Sequence, residues 1–182
     1  MKATGIVRRI DDLGRVVVPK EIRRTLRIRE GDPLEIFTDR EGEIILKKYS
    51  PIGELGTFAN QYAESLAQTM GCLVCVTDKD HIIAAAGNGK RDYDGKPISK
   101  QLEAMIEGRV HQVAERADRN FVKITLDDSG DYQTQAIGTI ISEGDAIGSV
   151  ILCSRGEKSN AGEVEEKLVL TAAGFLGRQM EQ

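Results

Sequence analysis

The stretch GRVVVPKEIRRTL, Gly14 to Leu26, sets three β-branched residues before a proline and then places Lys20, Arg23 and Arg24, with Arg27 one residue beyond, within two helical turns. Proline suits the first position of a helix, where its missing N–H leaves no bond unmade, so the spacing predicts a helix from Pro19 through Leu26. At 100° per residue, Ile22 and Leu26 share one side, while Lys20, Arg23, Arg24 and Arg27 spread over an arc of about 100° on the other. Such an arc occurs on ordinary amphipathic surface helices, and it is also how a helix holds cations toward a polyanion.

Outward from this helix the pattern is β. Thr4–Ile10 and Arg15–Val18 read as strands joined by Asp11-Asp12-Leu13-Gly14, and Leu34–Thr38 and Glu43–Lys48 as a second pair joined by Asp39-Arg40-Glu41-Gly42. A β-β-α-β-β unit of about 50 residues buries too little surface to be comfortable alone, so chain pairing is the expected remedy. A two-fold dimer would double the basic face and match a pseudo-palindromic duplex.

The net charge of −4 conceals an asymmetry. Residues 1–50 carry 12 Lys and Arg against 9 Asp and Glu, whereas residues 51–182 carry 13 against 20. Residues 1–29 alone hold 9 basic and 3 acidic side chains, the usual footprint of a polyanion partner. With 40% hydrophobic and 30% charged residues, the composition is that of a folded globular chain. No apolar run approaches the roughly 20 residues that span a bilayer, and MKATGIVRRIDD lacks a signal-peptide core, so a cytoplasmic protein without a membrane partner is expected.

A break at Tyr49-Ser50-Pro51-Ile52-Gly53 suits a domain boundary, giving domains over 1–50 and 54–182. Leu55, Phe58, Ala59, Tyr62, Leu66 and Met70 predict a helix of about 16 residues. Strands follow at Cys72–Thr77 and His81–Ala86, a helix at Ile98–Gly108, and strands at Phe121–Leu126, Gln135–Ser142 and Ala146–Cys153. The last element is a helix from Ala161 to Met180, with Asn160 and Glu163 as a capping box. It carries two apolar stripes, one through Val164, Leu168, Thr171 and Phe175, the other through Val169, Ala172, Leu176 and Met180. One stripe can cover the domain's own sheet while the other meets a partner helix, so self-association of the second half, turning dimers into tetramers, is expected. A single deeply buried helix fits nearly as well.

Little in the chain argues for chemistry. Cys72 and Cys75 form C-x-x-C, but on a strand their odd separation sends the thiols to opposite faces; with Cys153 they read as buried small hydrophobes rather than a disulfide framework. His81 and His111, with no second C-x-x-C, give a zinc site little support, and no metal or cofactor is expected. Gly87-Asn88-Gly89-Lys90 lacks the earlier glycine and the following Ser or Thr of a phosphate loop and reads as a turn. Asp78, His81 and Asp92 are polar candidates for a pocket by turn position only, and none is assigned a ligand.

Residues 1–50, through KATGIVRRIDDLGRVVVPKEIRRTLRI, GDPLEIF and IILKKYSP, resemble the AbrB-type swapped-hairpin DNA-binding domain of the transition-state regulators. The whole chain, including the terminal TAAGFLGRQMEQ, is similar to the sporulation-specific regulators that carry such a head. The resemblance implies two chains interleaving hairpins into a barrel-like dimer, with DNA contacts from Arg8, Arg15, Arg23 and Arg24. Where relatives can carry lysine after the first of these, this chain has Arg9, which keeps the charge. Lys20 and Arg27 complete the set expected at DNA. The fold class is thus α+β: an AbrB-like β-barrel dimer followed by an α+β domain that resembles a GAF module, on the order of its elements and the hairpin AIGTIISEGDAIGSVIL. The implied function is a sequence- or shape-selective DNA-binding regulator that activates and represses late sporulation genes, with a GAF-like half that senses a signal, such as an unknown small molecule, or sets oligomerisation. The rivals are a GAF-fold thiol enzyme resembling the methionine sulfoxide reductases, tethered to a DNA-binding head, and an architectural or antitoxin-like DNA-binding protein.

Overall fold

The computed structural model describes residues 5–128, 131–156 and 162–181. The chain divides into two compact units, Met1–Tyr49 and Ser50–Gln182. In the first, α1 (Lys20–Thr25) precedes an antiparallel pair, β1 (Leu34–Thr38) and β2 (Ile44–Lys48), in register from Leu34↔Lys48 to Thr38↔Ile44. Only Pro19 is buried among the described residues of this unit. Val7, Ile10, Val16, Val17, Ile36 and Ile44 all face outward, Val7 with 90% of its surface exposed. The apolar alternation that makes a strand is therefore present without an apolar surface to receive it.

The segments expected as strands at Thr4–Ile10 and Arg15–Val18 are not strands; Thr4 itself lies outside the described residues. A strand exists by virtue of a ladder, and here the described cross-segment bond runs only from Asp11 N–H to the Arg15 carbonyl, 3.0 Å. That bond closes a turn whose construction is repeated in the β1–β2 hairpin. Asp11 Oδ1 accepts from Leu13 N–H and Arg15 N–H at 3.0 and 2.8 Å, and Asp39 Oδ1 accepts from Glu41 N–H and Glu43 N–H at 2.9 and 2.8 Å. In both, D-x-x-G-x puts the glycine in the left-handed region, Gly14 at φ 76° and Gly42 at φ 84°, as a three-residue hairpin loop requires.

The second unit runs α2 (Pro51–Glu54), α3 (Gly56–Met70), β3 (Leu73–Thr77), β4 (Ile82–Ala86), a 3-10 turn (Lys90–Asp92), α4 (Lys100–Glu107), β5 (Gln112–Glu115), β6 (Thr134–Ser142), β7 (Asp145–Ser154) and α5 (Glu163–Gln179). The expected helix at Leu55–Met70 is α3, with α2 as a separate turn before it; Ser50 Oγ caps α2 by accepting Gly53 N–H at 3.2 Å. The strands form one antiparallel sheet in the order β4-β3-β7-β6-β5. Alternation divides it into two faces. Val74, Val76, Ala136, Ile140, Val150 and Leu152 pack under α3 and α5, against Ala59, Ala63, Ala67, Val169, Ala172 and Leu176. Leu73, Cys75, Ile137, Ile151 and Cys153 pack under α4 and its loops, against Leu102, Met105 and Ile106.

Close approach of α5 to the sheet rests on glycine. A Cβ on Gly177 would stand 2.0 Å from the Ile141 carbonyl oxygen, and one on Gly138 2.8 Å from that of Val169. Of the two stripes on α5, Val169, Ala172 and Leu176 are buried, while Val164 keeps 61% of its surface exposed. Phe175 of the other stripe stacks on Tyr62 at 5.7 Å and tilts against Phe58 at 5.8 Å, which joins α5 to α3. Glu165, not Glu163, makes the capping contact of α5, accepting Gly162 N–H at 3.1 Å; Asn160 and Ala161 lie outside the described residues.

Phe121–Leu126 is not a strand either. Its polar backbone is satisfied piecemeal: buried Gln135 donates from Nε2 to the Val122 carbonyl at 2.9 Å and accepts Val122 N–H on Oε1 at 2.8 Å, and Ser99 N–H donates to the Ile124 carbonyl at 2.8 Å. A side-chain amide thus stands where a neighbouring strand would. The strand at that edge is instead β5, which polar residues at Gln112 and Glu115 hide from a periodicity reading.

Candidate nucleic-acid interface

The cations of the first unit lie on three local structures. Arg8 and Arg9 sit on the extended segment before the first turn, both exposed. Arg15 ends that turn and is oriented by it: its Nε donates to Asp11 Oδ2 at 2.8 Å while its own N–H bonds Oδ1. The Arg15 N–H and guanidinium hold the Asp11 carboxyl below its ordinary value. Arg15 keeps 70% of its side chain exposed, so the pair directs the guanidinium without enclosing it.

Lys20, Arg23 and Arg24 are exposed on α1, where Pro19 is the N-cap residue rather than the first helical one. Arg27 does not continue the helical arc. The helix ends at Thr25, and Ile28 N–H donates to the Arg23 carbonyl at 2.7 Å while Arg27 N–H reaches the Arg24 carbonyl at 3.4 Å. This reverse-turn closure places Arg27 at φ 53°, a left-handed position usually given to glycine. A branched-off side chain there costs roughly 1–2 kcal/mol in the αL region. Arg27→Gly is therefore expected to stabilise the unit by up to about 1 kcal/mol in thermal unfolding while weakening duplex binding, whereas an arginine without a ligand role would show the first effect alone.

The residues behind Arg27 are ones the sequence did not single out. Asp32 Oδ2 accepts Arg29 N–H at 2.7 Å and pairs with Lys48 Nζ at 2.9 Å; Lys48 Nζ also donates to the Arg27 carbonyl at 3.1 Å. Burial raises the Asp32 carboxyl, but the Arg29 N–H and the Lys48 ammonium outweigh it and hold the group below its ordinary value. A depressed carboxyl contributes stability that is present above the unfolded value of about 3.9 and is lost as pH falls through the folded one. The only sequence signal for this contact is Gly31-Asp32-Pro33 before β1, a turn cluster that does not reveal its partner.

The thiols of the second unit are free and buried. Cys72 packs with the α3 and α5 face and Cys75 with the α4 face, as strand alternation requires. Burial and the Glu165 carboxylate push the Cys72 thiol up to about 11, and burial raises Cys75 and Cys153. Thiols so raised carry little thiolate at neutral pH, the opposite of a poised nucleophile. No helix among the described residues is long and apolar enough to cross a membrane.

Comparison with known proteins places both halves. A family model described as stage V sporulation protein T C-terminal, transcription factor, matches residues 54–181, and one for the bacterial antitoxin MazE matches residues 7–54. Stage V sporulation protein T of Bacillus subtilis (strain 168) is 56% identical over 182 residues, 100% of each chain. Transition state regulatory protein AbrB of the same organism is 67% identical over 51 residues, 28% of this chain and 52% of that protein. The GAF domain of Thermosynechococcus elongatus PixJ superposes with a TM-score of 0.55 at 12% identity, covering 74% of this chain and 89% of that one, a likeness of fold alone. With a cationic head before it and a GAF-like α+β unit matched along nearly its whole length, the chain belongs to the stage V sporulation protein T family of transcription factors.

Proposed function

We propose that this protein regulates transcription by gripping duplex DNA with Arg8, Arg9, Arg15, Lys20, Arg23, Arg24 and Arg27 of a dimeric head, and that its GAF-like unit controls that grip. The observation that carries the reading is the character of residues 5–49: outward cations and outward apolar side chains around a single buried residue. The apolar surface calls for a second copy of the same unit, and the cations call for a polyanion. Identity to a stage V sporulation protein T supports late sporulation genes as targets, both activated and repressed. The protein acts on the chromosome in the cytoplasm and is not an enzyme; the raised cysteines support that reading over the thiol-dependent one. The exposed Val164 and Leu170 on α5 support further association into tetramers. An unidentified small molecule at the GAF-like unit is a natural input, and the connection at Ser50–Gly53 is the route by which it alters the head. An inserted flexible linker there uncouples the two.

The test is binding of a sporulation promoter duplex and of a scrambled duplex across a salt series. For a dimer making 6–10 phosphate contacts, affinity is expected to fall about 10³–10⁵-fold between 50 and 200 mM salt, with the promoter retaining its preference throughout. Binding that ignores salt, or fails to distinguish the two duplexes, rejects the regulator as described.

A further inference from the structure

Resting on this reading of the cationic head, we infer that Asp32 and Lys48 are positioning residues for DNA binding: they clamp the backbone at Arg27 so that the cations of α1 and its exit turn are presented as one surface. The need for a clamp comes from α1 itself. It is six residues long and buries none of them, and a helix that short has little stability of its own. Within the unit only Ile22 of α1 is half-buried, beside the buried N-cap Pro19, so packing holds the helix weakly and the bonds at its ends carry more of its orientation.

The structure supplies one hold at the carboxyl end. Arg27 stands at φ 53°, and its carbonyl receives Lys48 Nζ from the end of β2. The same ammonium pairs with Asp32 Oδ2, and that oxygen also takes Arg29 N–H. One carboxylate therefore ties the chain after α1, at residue 29, to the hairpin, and one ammonium ties residue 27 to the same point. The side chains of Lys48 and Asp32 are 21% and 11% exposed, against 70% and 38% for Arg15 and Asp11 at the first turn. The clamp is thus the better shielded of the two pairs and keeps more of its strength in salt.

Electrostatics makes the inference separable from charge counting. Asp32→Asn removes a negative charge from the head together with the Asp32–Lys48 ion pair, so a simple count predicts tighter DNA binding. A positioning role predicts the reverse. The experiment uses the full-length protein, with oligomeric state and circular dichroism matched to wild type, and measures promoter-duplex affinity at fixed salt in a double-mutant cycle. Asp32→Asn is expected to weaken binding about tenfold, the loss of charge-assisted bonds that order a site, and to have less than about a twofold effect when added to Arg23→Ala/Arg24→Ala. If Asp32→Asn does not fold, Lys48→Met enters the same cycle, with Lys48→Arg expected to restore affinity. Equal or tighter binding by Asp32→Asn, or the same loss in both backgrounds, overturns the clamp. An unchanged affinity for Arg23→Ala/Arg24→Ala overturns the reading of the cationic arc as well, so the two failures are distinguishable.

Discussion

Replacement of Arg23 and Arg24 together by alanine is expected to weaken promoter-duplex binding by on the order of 10²- to 10³-fold at moderate salt and to flatten the salt dependence by about two units per chain. Both side chains are exposed in the last turn of α1, and neither supports the packing of the unit. Alanine is the best helix former, so the substitution leaves the local backbone at least as helical as before. A loss of affinity therefore reports contacts to the duplex rather than a damaged fold, provided oligomeric state is unchanged. The slope is the more diagnostic reading, because it counts the phosphates whose counterions are released. Unaltered affinity and slope would reduce the arc to a solvated face.

The second large effect lies far from DNA and pairs two identical substitutions in one helix. Gly177→Ala places a methyl group 2.0 Å from the Ile141 carbonyl oxygen, a backbone atom that cannot swing away. Either α5 lifts from β6 or the strand shifts, and overpacking of this kind costs typically 1–3 kcal/mol, with more where the neighbour is rigid. Gly174→Ala meets nothing within 4 Å and is exposed on the same helix. There the exchange is expected to stabilise by about 0.8–1.0 kcal/mol through helix propensity. Opposite shifts in melting temperature from changes three residues apart would establish that the α5–β6 contact is set by backbone proximity. Two shifts of the same sign would not fit that account.

Legibility in the sequence followed physics that is local. Leu34–Thr38 is found as a strand with the bounds its alternation predicts, because its partner is the next segment of chain and the turn between them is encoded by Asp39 and Gly42. The Ser142–Asp145 turn is equally readable: Glu143 and Gly144, at φ 49° and 85°, make the two-residue connection of a hairpin. The reading failed where the partner is not a neighbouring strand. Phe121–Leu126 has a strand's alternation, but its backbone is matched by the Gln135 amide and by Ser99, contacts that no periodicity announces. Arg27 was misplaced on a helical arc because angular periodicity contains no stop signal when the left-handed residue is not glycine. Asp32 and Lys48 went unnoticed for a related reason: a clamp between residues 16 apart in sequence leaves no local pattern.

The two D-x-x-G-x turns of the head share their hydrogen bonds and their left-handed glycine and differ in what the fifth position carries. In the first it is Arg15, steered by Asp11; in the second it is Glu43, close to Asp39 and Glu41 in an exposed acidic group. Both tips are acidic by count, −1 over residues 11–15 and −2 over residues 39–43, and they differ in that the first turns a guanidinium outward at its fifth position where the second turns a carboxylate. Because the fifth residue contributes only its backbone N–H and carbonyl to the bonds that close each turn, exchanging Arg15 and Glu43 would carry the guanidinium from one hairpin to the other without rebuilding either loop.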